Sequence, residues 1–286
     1  MLGDDVMTTD TLENPSTQKF HQAHALGGAS FAAELDGDSD TGDFGFGRTQ
    51  QEVGFIQDAL GLEHDNATLL DAGCGGGRWA LELARRGHAV TGIDRDPARI
   101  VRARNRALGA GLHERTHLHA CSLSQIAFVS HFDGAYAYGG SFGGENEDTD
   151  LAALRAIVRS LKPGARILIE HSNMLHLARN FTAREWGPSP SGGRIFIERT
   201  WDVAAGRVYE RRVLQDRAGV EREQWFTMRV YSPTELGRML GAVGGLEQIE
   251  VVCAPERSPA SLESPRIAVI ARRSASWTAR GAAALA

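Results

Sequence analysis

Between residues 67 and 94 the chain sets four glycines within five positions and brackets them with two aspartates, a pattern that few backbone arrangements satisfy. An apolar run over 67–70 ends in Asp71, and Gly73, Gly75, Gly76 and Gly77 follow. The helical period of Trp79, Leu81, Leu83 and Ala84 then leads to Gly87, and a second short apolar run stops at Asp94. Strand, tight glycine turn, helix, strand and acid form the first half of a nucleotide-binding βαβ unit. Glycine is needed because the backbone must turn with positive φ and admit a ligand where a Cβ would collide. An acid closing the second strand is placed to accept both hydroxyls of a ribose.

Two details narrow the nucleotide. A dinucleotide fingerprint wants a third glycine five residues after the first, and Arg78 stands there. An acid also stands two residues before the first glycine. At a strand tip, Asp71 would repel a pyrophosphate at the helix N-terminus. It suits the ammonium and sulfonium of S-adenosylmethionine instead. Asp71-Ala-Gly-Cys-Gly-Gly-Gly with Asp94 resembles the class I S-adenosylmethionine-dependent methyltransferases. The segment 132–138 is similar to the fourth strand of that family, and 161–170 to its helix, turn and fifth strand. Ser141-Phe142-Gly143 and the segment 229–236 resemble a small-molecule subgroup with an inserted sheet. The resemblance covers roughly residues 45–272. It implies a Rossmann-like seven-stranded α/β sheet with an N-terminal helical lid and a small antiparallel β insert.

The periodicities agree with that fold. A polar tail (1–18) and an N-terminal lid (19–52) precede the methyltransferase domain (53–272), and a C-terminal tail (273–286) follows. After a helix over 53–60 and the first strand come a crossover helix (77–86), a second strand (88–93) and a helix (96–109). The third strand covers 116–121, the fourth 132–138, a helix 148–160 and the fifth strand 165–170. Alternation of this kind predicts a parallel sheet. The segments 194–201, 207–214 and 221–230 instead alternate apolar and polar residues between glycine turns, which predicts an antiparallel meander within an insert at about 175–231. Ser232-Pro-Thr-Glu235 carries a capping pattern that starts a helix. Strands near 246–252 and 266–272 close the sheet.

Composition excludes several classes. A net charge of −5 disfavours a nucleic-acid partner, which needs a basic face. No apolar run approaches the ~20 residues of a membrane span. The start of the chain lacks a signal pattern, and Cys74, Cys121 and Cys253 are far apart, so a cytoplasmic protein with reduced thiols is expected. A homodimer is compatible with this reading. Lys19 and Lys162 are the only lysines; the arginine-for-lysine usage reads as codon bias, and Arg99, Arg102, Arg104 and Arg106 as a solvated helix face.

The resemblance implies cofactor contacts from Arg48, Asp71, Gly73, Cys74, Gly75, Asp94, Arg95, Ser122, Leu123, Tyr138 and Gly139. Cys74 reads as a small side chain in the turn rather than a nucleophile. Family members often carry an acid where Ser122 stands. Methyl transfer is an in-line displacement at a sulfonium, so the protein aligns the reactants, excludes water and supplies a base where the acceptor needs one. His171, directly after the fifth strand, is the first candidate base, with Tyr138 as a second catalytic residue; Ser141, Glu145 and His176 rank below them. Trp186, Tyr209, Trp225 and Tyr231 are expected in the core of the insert, or as walls of an acceptor pocket. No metal is expected, His21 and His24 included. The function expected is methyl transfer from S-adenosylmethionine to an O or N atom of a small molecule, in specialised metabolism. The alternatives are a methyltransferase acting on tRNA or protein, a non-catalytic nucleotide-binding protein of the same fold and, given Arg78 least of all, a nicotinamide oxidoreductase.

Overall fold

The computed structural model describes residues 43–277 apart from positions 63, 65, 145, 190 and 191. The tail 1–18, the first part of the lid, His21, His24, Glu145 and most of the C-terminal tail lie outside the described residues. Helix α1 (Asp43–Leu60) leads into β1 (Thr68–Ala72), α2 (Arg78–Arg85), β2 (Ala89–Asp94), α3 (Pro97–Gly109) and β3 (Thr116–Ala120). A 3-10 turn (Leu123–Gln125), β4 (Phe132–Ala137), α4 (Glu147–Ser160) and β5 (Leu161–Ser172) complete the alternating part. These elements, with β10 (Leu246–Cys253) and β11 (Arg266–Arg273), make a seven-stranded sheet in the order β10-β11-β5-β4-β1-β2-β3. Strands β1 to β5 pair in parallel, and β11 runs antiparallel to both β5 and β10.

Side-chain alternation sorts the core into two layers. Leu69, Val90, Tyr136 and Leu168 pack beneath α1 and α2, against Val53, Ile56, Ala80 and Leu83. Leu70, Ala135, Ile167 and Val269 face the opposite side, toward Leu154 and Ile157 of α4 and Leu236 and Leu240 of α6 (Pro233–Val243). Local chemistry starts the helices. Asp96 caps α3 by accepting from Ala98 N at 2.8 Å, with Pro97 at the first position. Ser232 and Glu235 form a reciprocal capping box at α6.

Between β5 and α6 lie α5 (Met174–Arg179), β6 (Arg184–Pro188), β7 (Arg194–Asp202), β8 (Arg207–Gln215) and β9 (Glu221–Arg229). The last four form a separate antiparallel sheet in chain order. Its three long strands match the alternation in the sequence. The short edge strand β6, interrupted by Gly187 and ended by Pro188, carried too weak a period to be read. Trp186, expected in the core, is 72% exposed on that edge. Helix α1 begins ten residues before the expected start at 53 and so crosses the anticipated lid boundary. Glycines 45, 47 and 54 weaken the helical signal there, and contacts from α2 described below hold the segment. None of the helices among the described residues is long and apolar enough to cross a membrane.

Candidate active site

Strand order reverses between β2 and β4 around β1, and ligands of open α/β sheets bind beyond the strand ends at such a switch point. There Gly73 adopts φ 86° and its N–H donates to Ile93 O at 2.7 Å. A Cβ at Gly73 would come within 2.4 Å of Ser141 Cβ, so the first glycine lets the loop after β4 close onto the turn. Gly75, at φ 52°, donates to Asp94 Oδ2 at 2.9 Å, while Asp96 N holds Asp94 Oδ1 at 2.9 Å. Two backbone amides thus aim the Asp94 carboxylate and leave it lone pairs for hydroxyl donors.

The other wall comes from the end of β4. Tyr138 stands edge-on to Trp79 with centroids 5.3 Å apart, and Gly139 turns at φ 78°. A Cβ on Gly139 would approach Trp79 Cη2 to 2.2 Å. The Gly139 N–H donates to Glu170 Oε2 at 2.8 Å, and Glu170, fully buried, also takes a bidentate pair from Arg266. Ser141 Oγ donates to Ala72 O at 2.9 Å and ties this loop to β1.

These groups border a cavity of about 520 Å³. Gly73, Cys74, Gly75, Asp94, Arg95, Ser122, Leu123, Tyr138 and Gly139 all line it. Cys74 is buried, and burial followed by the charges of Asp71 and Asp94 pushes its thiol far up, which suits a small packing side chain. Ser122 and Leu123 arrive on the 3-10 turn, where Gln125 caps Ser122 N at 3.1 Å. The cavity continues to the insert, whose β8 and β9 contribute Val208, Glu210, Arg212, Phe226, Thr227 and Met228. The registers Val208↔Met228 and Glu210↔Phe226 put those four side chains on one face of the insert. Arg199 and Arg212 both pair with Glu210, and the Arg212 guanidinium lies 4.5 Å from the centre of the Phe226 ring.

Four candidates, Asp71, Arg48, His171 and His176, stand off the cavity wall. Asp71 lies behind Gly73, 1% exposed, with neither carboxylate oxygen in hydrogen-bond geometry. Burial foremost raises its pKa to about 7; the neighbouring Tyr136 hydroxyl opposes the shift and Asp94 adds to it. Arg48 sits on the exposed side of α1, paired with Glu52 at 2.9 Å. His171 is fully buried. Its Nδ1–H donates to Ser172 O at 2.9 Å, and Nε2 lies under Gly143, where a Cβ would come within 3.1 Å of it. Alternation along β5 and the loop 139–144 seal it from the cavity, and burial lowers its pKa. It is a neutral imidazole within the wall, so the geometry does not support it as the base. Tyr138 does face the cavity, but burial, then Glu170 and Glu52, hold its phenol far above the ordinary value. Its ring forms an aromatic wall of the cavity beside Trp79. His176, on the exposed α5, reaches Leu262 O at 3.0 Å.

Sequence reasoning missed Asp150, Trp79, Arg266, Glu210 and Phe226, all of which line the cavity. Only Asp150 had a local signal, the Asn-Glu-Asp-Thr-Asp start of α4. Of the arginine run, Arg99 and Arg106 border the cavity, Arg106 Nη1 donating to Gly76 O at 3.3 Å, and Arg104 Nε binds Leu118 O at 3.1 Å. That helix face is therefore only partly a solvated one. Among the described residues no group of three or more His, Cys, Asp or Glu side chains is placed to hold a metal.

Comparison with known proteins agrees with this geometry. Residues 69–164 match the family described as "Methyltransferase domain". A 2-heptyl-1-hydroxyquinolin-4(1H)-one methyltransferase of Mycobacteroides abscessus is 34% identical over 156 residues, 49% of this chain and 63% of that protein. The match thus spans less than two thirds of the relative's own length. The CcbJ methyltransferase from Streptomyces caelestis superposes with a TM-score of 0.71 at 18% identity, over 79% of this chain and 89% of that one. CalS10, an amino pentose methyltransferase from Micromonospora echinaspora, gives a TM-score of 0.63 at 21% identity, over 85% and 97%. The fold is that of the class I S-adenosylmethionine-dependent methyltransferases, and residues 69–164 within it match a methyltransferase domain.

The residues present fit that methyl donor. The turn at 73–77 leaves room where side chains would intrude, Asp94 presents a fixed carboxylate at the end of β2, and Tyr138 and Gly139 line the facing side of the cavity. When bound, the donor supplies an electrophilic methyl group on a sulfonium.

Proposed function

We propose that the protein transfers a methyl group from S-adenosylmethionine to an oxygen or nitrogen atom of a small molecule. The observation that carries this reading is one cavity running from the glycine turn and Asp94 to the inner face of the insert. Its volume of about 520 Å³ falls in the range typical of small-ligand sites. The chain's part is to align and enclose. The turn and Asp94 hold the nucleoside, Tyr138 and Trp79 wall the reacting centre, and Val208, Phe226 and Met228 offer an apolar surface to the acceptor. Held geometry of this kind contributes up to roughly 7–11 kcal/mol of barrier reduction.

A small acceptor in specialised metabolism is supported by the relatives, one of which acts on a hydroxyquinolone and another on an amino pentose. The insert covers the acceptor side, and a net charge of −5 works against a nucleic-acid substrate. The three free cysteines fit a cytoplasmic setting, in which a homodimer is an allowed assembly. The test is direct. Calorimetry should show S-adenosylhomocysteine binding, and labelled donor should pass its methyl group to hydroxyquinolones or amino sugars. Failure to bind S-adenosylhomocysteine, with tight binding of NADH, would reverse the reading.

A further inference from the structure

The acids lining the cavity differ in what holds them. Asp94 is fixed by the amides of Gly75 and Asp96 on the nucleoside side, and Glu210 is clamped by Arg199 and Arg212. Asp150 sits in the first turn of α4, directly after the 139–144 loop, 6% exposed at the cavity wall. The Tyr231 hydroxyl donates to its Oδ2 at 2.6 Å. This charge-assisted bond orients the Asp150 carboxylate at the cavity wall. Tyr231 is itself held firmly. Its ring contacts His171 and Phe142, with centroids 5.7 and 6.0 Å away, and the Arg229 guanidinium lies 4.4 Å from its centre. Burial, then the bond to Asp150, raises the pKa of its phenol far up, so it remains the donor in this pair. Arg229 N also donates to Gly143 O at 2.9 Å, which staples the exit of the insert to the loop beside Asp150.

We infer that Asp150 touches the acceptor, its carboxylate receiving the hydrogen of the O–H or N–H group to be methylated, with Tyr231 as the positioning residue. The inference rests on the methyl-transfer reading above and adds an acceptor class: a protic heteroatom on a body apolar enough to lie against Val208, Phe226 and Met228. The acceptor's heteroatom forms its new bond to carbon while the carbon–sulfur bond breaks with its electron pair left on sulfur. The heteroatom's proton passes to a carboxylate oxygen of Asp150. No strong base is required, because a protic heteroatom becomes far more acidic as it gains the methyl group, and a carboxylate placed to accept a hydrogen bond is then sufficient. Among the described candidates His171 is walled off and Tyr138 keeps its proton, whereas Asp150 borders the cavity.

The experiment compares wild-type protein with Asp150→Asn and Tyr231→Phe, using 2-heptyl-1-hydroxyquinolin-4(1H)-one and an amino sugar as acceptor probes. All three proteins should bind S-adenosylhomocysteine within about threefold, which certifies the fold and the donor site. Asp150→Asn should lower turnover by about 10²–10⁴-fold, weaken probe binding to the S-adenosylhomocysteine complex and, with the hydroxyquinolone probe, lose the decline of kcat/KM at acid pH. Tyr231→Phe deletes one hydroxyl and gives an independent reading should Asp150→Asn fold poorly: turnover about tenfold lower, with the acid decline moved to higher pH. Unchanged turnover and pH profile in Asp150→Asn would overturn the assignment. So would a wild-type protein that binds S-adenosylhomocysteine yet methylates neither probe nor any member of a phenol and amine panel. Absence of S-adenosylhomocysteine binding to the wild type would remove the methyl-transfer reading itself, and this assignment with it.

Discussion

Asp71 and Asp94 lie at the ends of two consecutive strands, yet the fold treats them differently. Asp94 has two amide donors, whereas Asp71 is buried with neither oxygen bonded. For Asp71 the folded-state pKa of about 7 exceeds the unfolded value of 3.8. Between those values the folded protein holds a proton that the unfolded chain has lost, so stability falls as pH rises through that window, by about 1.4 kcal/mol per pH unit, and levels off above it. The melting temperature of unliganded protein should therefore drop from pH 5 to pH 8 more steeply than that of Asp71→Asn, which should be the more stable of the two at pH 8. Parallel melting curves across that range would contradict the assignment of a buried, uncompensated charge. Asp94→Ala should weaken S-adenosylhomocysteine binding by about 1–3 kcal/mol in a calorimetric titration, from lost charge-assisted hydrogen bonds. Both aspartates were legible in the sequence because strand tips beside a glycine turn are local features. The burial of His171 was not, since it depends on the loop containing Gly143 and on Tyr231, which are distant in sequence.

At the scale of elements, the buried carboxylate of Glu52 ties α1 to α2. Glu52, 4% exposed, accepts from Trp79 Nε1 at 3.0 Å and pairs with Arg78 at 3.1 Å, and Arg78 Nε also donates to Thr49 Oγ1 at 2.7 Å. The contact with Arg48 is solvent-exposed and adds little. These bonds join the first half of α1 to the helix that follows the glycine turn, and Arg78 and Trp79 both line the cavity. Glu52→Ala should therefore lower stability by about 1.5–3 kcal/mol in denaturant unfolding. It should also speed amide exchange over residues 48–52 relative to the rest of the chain. Exchange rates unchanged in that segment would show that apolar packing of Val53 and Ile56 alone fixes it. The glycines in the first half of this helix concealed it from periodicity, and only the bonds to α2 explain why it forms. Elements with their own caps, such as α3 and α6, were readable to within a residue or two at their starts.

For the whole molecule, the question is how the two sheets divide the work. The seven-stranded sheet carries the turn, Asp94 and the 3-10 segment, while the four-stranded sheet supplies only the far wall of the cavity. Replacing residues 174–230 with a short linker should leave S-adenosylhomocysteine affinity within about threefold and abolish methyl transfer to any acceptor the intact protein uses. Loss of nucleoside binding in a soluble, folded deletion variant would mean that the insert also shapes the donor site. The sequence by itself determined the order of the elements of the seven-stranded sheet, the glycine turn with its two acids, and the presence of an antiparallel insert. Each of those is written in spacing along a few neighbouring residues, where steric and hydrophobic periodicity act locally. Tertiary structure alone decided which side chains share the cavity. Asp150 of α4, Glu210 of the insert and Arg266 of β11 share it although they are far apart in sequence, and His171 is closed off from it by the loop containing Gly143 and by Tyr231. Burial and partner geometry, which set the charge state and reach of each group, come from contacts between segments far apart in the chain.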